Sequence, residues 1–256
     1  MRSIALAIAT LCLVATETAT ASSGTAATLA SGAGEIGVFR PLSMGIGENT
    51  EAQVQPLVFF LSPHISLKQS WWQQGPWQLS TEHRLSYPTQ LLKQLRRKGI
   101  GGLIEAEAEI PTILAAENSL LLTQKVSSAL SHTLKYGFGV AARFEAGKHW
   151  QGIETPLIFS RTAAYHKGVT TRLGWDVDYR ISSDWRCYVE TDVFRTAYAK
   201  ARWHYEGAFA FVWHLAAASR LEFGAKMVFG EYFYGNQSHV LPLVDWVWDF
   251  DHGLVL

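Results

Sequence analysis

Beyond about position 130 the chain alternates apolar and polar residues with a period of two, in segments of about ten to fifteen residues parted by short turns. In 168–180, Val169, Thr171, Leu173, Trp175, Val177 and Tyr179 share one face. Thr170, Arg172, Gly174, Asp176, Asp178 and Arg180 share the other. In 202–215, Trp203, Tyr205, Phe209, Phe211, Trp213 and Leu215 oppose Arg202, His204, Glu206, Ala208, Ala210 and His214. Segments 132–145 and 218–233 repeat the logic, and 184–197 and 240–250 follow it with minor lapses. A helix would scatter these residues around its axis, so the segments are strands. The links at 182–183, 198–201 and 216–217 are too short for anything but antiparallel neighbours. The second half is an up-and-down meander.

Length and chemistry separate a membrane sheet from a soluble one. Soluble strands usually run about 5 to 6 residues, and these run to roughly fourteen. Trp203 and Trp213 share a face ten positions apart, about 33 Å along a strand. A tilt of about 40° leaves roughly 25 Å along the membrane normal, the height of the apolar band between two aromatic girdles. Trp175, Tyr179, Trp185, Trp203, Trp213, Trp246 and Trp248 are the expected girdle residues. In lipid every backbone group must be paired internally, so such a sheet must close.

Strand candidates run back from the C-terminus as 240–250, 218–233, 202–215, 184–197, 168–180, 155–165 and 132–145, then 120–126, 105–114, 77–86, 64–72, 52–61 and 35–40. Thirteen is odd, and bacterial single-chain barrels are even. Either 35–40 is not a strand or 105–126 is one strand broken near Pro111. Twelve strands is the expectation and ten the alternative. A helical insertion is expected near 88–99, where Leu91, Leu92 and Leu95 share a face beside Lys93, Arg96, Arg97 and Lys98, and Gly99 ends the helix. It reads either as a solvated surface helix or as a basic element folded into the lumen or laid on anionic lipid.

The N-terminus changes the compartment. Arg2, the apolar run 4–15 and Ala19-Thr20-Ala21 read as a signal peptide over 1–21, cleaved before Ser22. Residues 22–34 are small and polar and read as a flexible lead, with the barrel domain over 35–256. Cys187 is then the only cysteine, so no disulfide forms within the chain. Lysine and arginine number 22, as do aspartate and glutamate, which removes the case for a nucleic-acid surface. No His/Cys/Asp cluster has ligand spacing, and no cofactor is implied.

The export signal, long alternating strands, aromatic belts and a last strand near the C-terminus resemble the bacterial outer-membrane β-barrels. One departure is that many of these end on an aromatic residue, whereas this chain ends on Leu256, six positions past Phe250. The resemblance implies a porin-like, all-β transmembrane barrel in the outer membrane. Outer-membrane lipids, lipopolysaccharide and the barrel-insertion machinery would be its partners. Its inward face would gather Arg172, Asp176, Asp178, Arg180, Arg186, Glu190, Asp192, Arg202, His204, Glu206, Arg220, Glu222, Lys226 and Asp245. That set reads either as a structural ladder filling the barrel or as a charged constriction for small polar solutes. The alternatives are a soluble periplasmic barrel and a lipid-modifying enzyme of the phospholipase or lipid A deacylase type. The last requires a serine and a histidine with an acidic or amide partner on the outer wall. No Gly-x-Ser-x-Gly elbow occurs, His204 and His214 point inward, and no catalytic residue is assigned.

Overall fold

The computed structural model describes residues 24–96, 104–144, 153, 156–198, 202–232 and 235–251. Twelve antiparallel strands close into one barrel. They are β1 (Ala33–Gly37), β2 (Leu42–Gly47), β3 (Thr50–Val54), β4 (His64–Gln74), β5 (Trp77–Ser86), β6 (Ile113–Lys125), β7 (Leu130–Arg143), β8 (Val169–Arg180), β9 (Trp185–Thr196), β10 (Trp203–Ala216), β11 (Ser219–Tyr232) and β12 (Gly235–Asp251). Each pairs with the next, and β1 closes on β12 with Ile36 opposite Trp248. Closure leaves no unpaired sheet edge, as a lipid environment demands. Among the described residues three helices interrupt the meander: α1 (Pro56–Phe59), α2 (Thr89–Leu95) and α3 (Pro156–Lys167). None of the described helices is long and apolar enough to cross a membrane; the crossing elements are strands.

The period of two sorts the side chains. Leu134, Tyr136, Phe138, Leu173, Trp175, Phe209 and Trp213 are exposed on the outer wall. Lys135, Asp176, His204 and Glu206, interleaved with them, are buried inside. The connections 48–49, 75–76, 126–129, 181–184 and 217–218 lie at the end that also holds the start of β1 and the end of β12. The longer connections, including 87–112 and 144–168, lie at the opposite end.

The total of twelve is reached by compensating differences. Candidate 155–165 is not a strand but helix α3, which starts at Pro156 and stops at Gly168, φ +84°. Proline at the first helical position and a left-handed glycine just past the end are the physical reason. Candidate 105–114 is irregular up to β6, while 52–61 ends as a strand at Val54 because Pro56 opens α1. The additional strand is β2, whose inner wall of Ser43 and Gly45 carries no charge to mark it. Residues 24–32 are not a free lead. Ala26 is fully buried, and its N–H donates to Thr123 Oγ1 at 2.7 Å. The N–H of Leu29 donates to Glu51 Oε2 at 3.0 Å. Gly45 makes room for this segment, since a side chain there would collide with the Ala30 carbonyl. Residues 1–21, expected to be a signal peptide, and Arg97, Lys98, Gly99 and Leu256 lie outside the described residues.

The charged lumen as candidate functional site

Two ion networks fill the inner wall. Near the short-turn end Arg40 donates from Nη1 to Glu35 (3.0 Å) and from Nη2 to both oxygens of Glu222 (2.7 and 2.9 Å). Arg220 meets the same two carboxylates at 2.5 and 3.2 Å and adds Asp249. Asp245 anchors the Arg40 turn by accepting the N–H groups of Phe39 (3.1 Å) and Arg40 (2.8 Å). Lys68 lies 3.5 Å from Glu51, and Arg186 lies 3.3 Å from Asp178.

Toward the long-loop end, Arg172 clamps Asp192 with two parallel bonds of 2.8 and 2.7 Å. Lys135 lies 2.5 Å from Asp176 and 3.4 Å from Asp192. Glu206 draws in Lys226 at 2.9 Å, Arg161 at 3.2 Å and the Ser160 hydroxyl. Gly174 is required here, because a side chain would overlap the Asp192 carboxylate and Lys135.

Ser160 and Arg161 belong to α3, which touches β6, β7, β8, β9, β11 and β12. Only a helix inside the barrel can reach strands on so many sides. All residues from Ile158 to Tyr165 are buried, so these two turns of α3 have no solvent face, and Lys167 at the end of the helix is exposed. Phe159 packs against Tyr198, His204 and Tyr232 with ring centroids 5.3, 4.9 and 5.7 Å away. The other side of α3 joins a hydrophobic cluster of Leu91, Leu92, Leu95, Ile104, Ala108, Ile110 and Ile113 with Ile158 and Tyr165. Helix α2 buries Leu91, Leu92 and Leu95 in this cluster, which helps cap the long-loop end of the lumen, and keeps Gln90, Lys93 and Gln94 exposed on its other face, as expected of a surface helix. Below this plug lies a cavity of about 350 Å³, lined by residues 24–25 and 27–29 and by charged residues of both signs.

The charged residues read from sequence divide by depth. Asp176, Glu190, Asp192, His204, Glu206, Arg220, Glu222 and Lys226 are buried in the lumen, and Arg172, Asp178, Arg186 and Asp245 are half-buried on it. Arg180 is exposed beside a short turn. Arg202 is no lumen residue: it precedes β10, is exposed, and gives its backbone N–H to Glu231 Oε2 at 3.3 Å. Arg40, Glu35, Glu51, Lys68, Lys135, Ser160 and Arg161 are further lumen residues. Alternation with Leu67 and Leu134 marks Lys68 and Lys135 in the sequence; nothing local marks Ser160 and Arg161. On the outer wall Trp185 stacks on Trp213 (centroids 5.5 Å) and Trp246 on Trp248 (6.0 Å). With Tyr179, Trp72 and Trp77 they form an aromatic belt near the short-turn end; Trp203 marks the other end, and Trp175 lies between.

The outer wall also carries one polar row. Trp71 Nε1–H donates to Thr81 Oγ1 at 2.7 Å, Thr81 lies 3.1 Å from His83 Nε2, and His83 Nδ1 lies 2.7 Å from Asn118 Oδ1. Thr81 and His83 point out with Leu79 and Leu85 of β5, and Asn118 faces His83 across the β5–β6 pair.

No family model matches the chain, and no curated protein matches it. Solved structures do. One reported as the NanC porin is 13% identical, with a TM-score of 0.46 over 88% of this chain and 96% of that one. An anion-selective porin from Comamonas acidovorans is 8% identical, with a TM-score of 0.44 over 82% of this chain and 58% of its own. The KdgM porin, described in complex with disordered oligogalacturonate, is 8% identical, with a TM-score of 0.41 over 85% and 94%. At these values the likeness does not go beyond the barrel architecture that the strand pairing already shows.

Proposed function

We propose that the chain is an outer-membrane barrel that admits small polar solutes through a narrow lumen largely filled by its own segments. The observation that carries this is the cavity of about 350 Å³, walled by charges and set inside a closed barrel with an apolar exterior. A sheet that only needed filling could use apolar side chains at less desolvation cost than ion pairs. Outer-membrane barrels carry short periplasmic turns and longer external loops. On that rule the cavity opens toward the periplasm, and α2 and α3 close the cell-exterior side. The export signal supports the same location, with outer-membrane lipids and lipopolysaccharide against the outer wall and the barrel-insertion machinery as a partner in assembly.

Single-channel recording in a planar bilayer tests the reading. Small discrete steps are expected, with an ion selectivity that shifts on Asp176→Ala. Silence at high protein loading, both in the parent and after loosening α3, would leave a purely structural barrel.

The polar row favours a second reading, acyl-ester hydrolysis at the outer wall. A hydroxyl, an imidazole and an orienting amide in hydrogen-bond reach are the parts of an activated nucleophile. The Thr81 hydroxyl would attack the ester carbonyl and pass its proton through His83 Nε2 to the departing alcohol; water would then release the acyl group. It stands second because the row lies in the apolar band, where that water is scarce. Phospholipid turnover lost on both Thr81→Ala and His83→Ala would establish it; turnover absent in the parent would dismiss it.

A further inference from the structure

The lumen cavity has unspent negative charge. Its wall holds six carboxylates, four lysine or arginine side chains and His214, and the lysine and arginines are already engaged. Arg40 and Arg220 serve Glu35, Glu222 and Asp249, Lys68 serves Glu51, and Arg186 serves Asp178. Asp176 and Glu190 remain, directly opposite each other on β8 and β9. The nearest ammonium, Lys135, is divided between Asp176 and Asp192. Glu190 has no hydrogen bond or ion pair with any described residue, although only 6% of it is exposed and it borders the cavity. Like charges directly opposed across strands are unfavourable, and a buried carboxylate without a partner more so. Both would be relieved by a cation in the space they face.

We propose that this cavity binds a small organic cation, an ammonium or guanidinium, anchored by Glu190 with Asp176 beside it. A volume of about 350 Å³ is in the range of small-molecule sites. Among the described residues no group of three His, Cys, Asp or Glu is arranged to hold a metal ion, whereas an N–H cation needs only the two carboxylates and a charge-assisted bond to each. Tyr188 walls the same cavity, its hydroxyl turned to Glu222 at 3.4 Å, and its ring offers a surface to the carbon part of the ligand. The proposal rests on the lumen being open to solutes and adds the charge class of the one it holds.

The test is calorimetric titration of the purified barrel in detergent with putrescine, using acetate and glucose as anionic and neutral controls. Putrescine should bind, acetate and glucose should not, and Glu190→Gln should weaken binding by about tenfold or more. Thermal melting of the same variant separates ligand binding from structure. Removing an unpaired buried charge should leave the ligand-free midpoint unchanged or raise it, whereas a structural ion pair would lower it. Absence of heat from putrescine, equal binding of acetate, or unchanged affinity in Glu190→Gln would overturn the proposal. Conductance steps without putrescine binding would leave the channel reading standing and sink only the site; binding by a barrel silent in the bilayer would do the reverse.

Discussion

Phe209→Arg is expected to weaken the folded barrel by about 2–4 kcal/mol, the cost of arginine on the lipid face near the bilayer midplane. Phe209 is 41% exposed on the outer wall of β10, six positions from Trp203 and four from Trp213. Its ring lies 4.8 Å from that of Phe211, which leans on Phe223 at 5.8 Å. Phe211→Arg should cost less, because Phe211 is only two residues from the belt at Trp213 and the penalty falls toward the interface. Ala208→Ser, on the inner wall, should be nearly neutral. Ala210 is the wrong control: it is 1% exposed and packed with Tyr188 and Val212, so any added atom would overfill the lumen there. Urea titration during refolding into lipid vesicles checks the series. A Phe209→Arg midpoint equal to the parent's would mean that this wall faces water, and the membrane reading would fail.

Which parts of the molecule are legible in the sequence follows from where the period of two can operate. In β7 to β12 lipid on one side and charge on the other force strict alternation, so the strands and the faces of Asp176, Glu206 and Lys226 can be read directly. The strand β2 is short, and its inner positions are Ser43 and Gly45, the latter kept small because the backbone at Leu29 and Ala30 packs against it. A packed small residue and a loop glycine look alike in sequence. Helix α3 is apolar and polar all round because it is enclosed on every side, so it presents neither a clean helical stripe nor a clear break from the strands around it. Pro156 and Gly168, with His166 and Lys167 in the last turn, are the local marks of its ends. The ion pairs joining Arg40 to Glu222 and Arg161 to Glu206 span 182 and 45 positions, and no local pattern announces contacts at that separation. The polar row is hidden in the sequence for a related reason. Thr81 and His83 alternate correctly with Leu79 and Leu85, but Asn118 joins them only through the β5–β6 register.

The plug makes the strongest functional demand on a single side chain, Glu206. Its carboxylate accepts from Ser160 and Arg161 of α3 and from Lys226 of β11, and it is 6% exposed. Glu206→Ala takes the nearest carboxylate from Lys226 (2.9 Å) and removes from Arg161 a carboxylate at 3.2 Å, leaving it Asp192 at 3.9 Å and the Phe194 ring among its partners. Breaking a buried pair from one side costs on the order of 3–5 kcal/mol. Ser160→Ala removes one hydrogen bond and should cost about 1 kcal/mol. Combining Glu206→Ala with Lys226→Met should recover part of the loss, because one stranded charge is gone. Phe159 and the cap around Leu92 still hold α3 on its apolar sides, so the helix should loosen rather than leave. Urea midpoints measure the energy, and single-channel current measures the consequence: Glu206→Ala should give larger conductance steps than the parent, with Ser160→Ala between them. A large loss of stability at unchanged step size would show that α3 is not the constriction. An unchanged midpoint would show that the Glu206 network does not hold it.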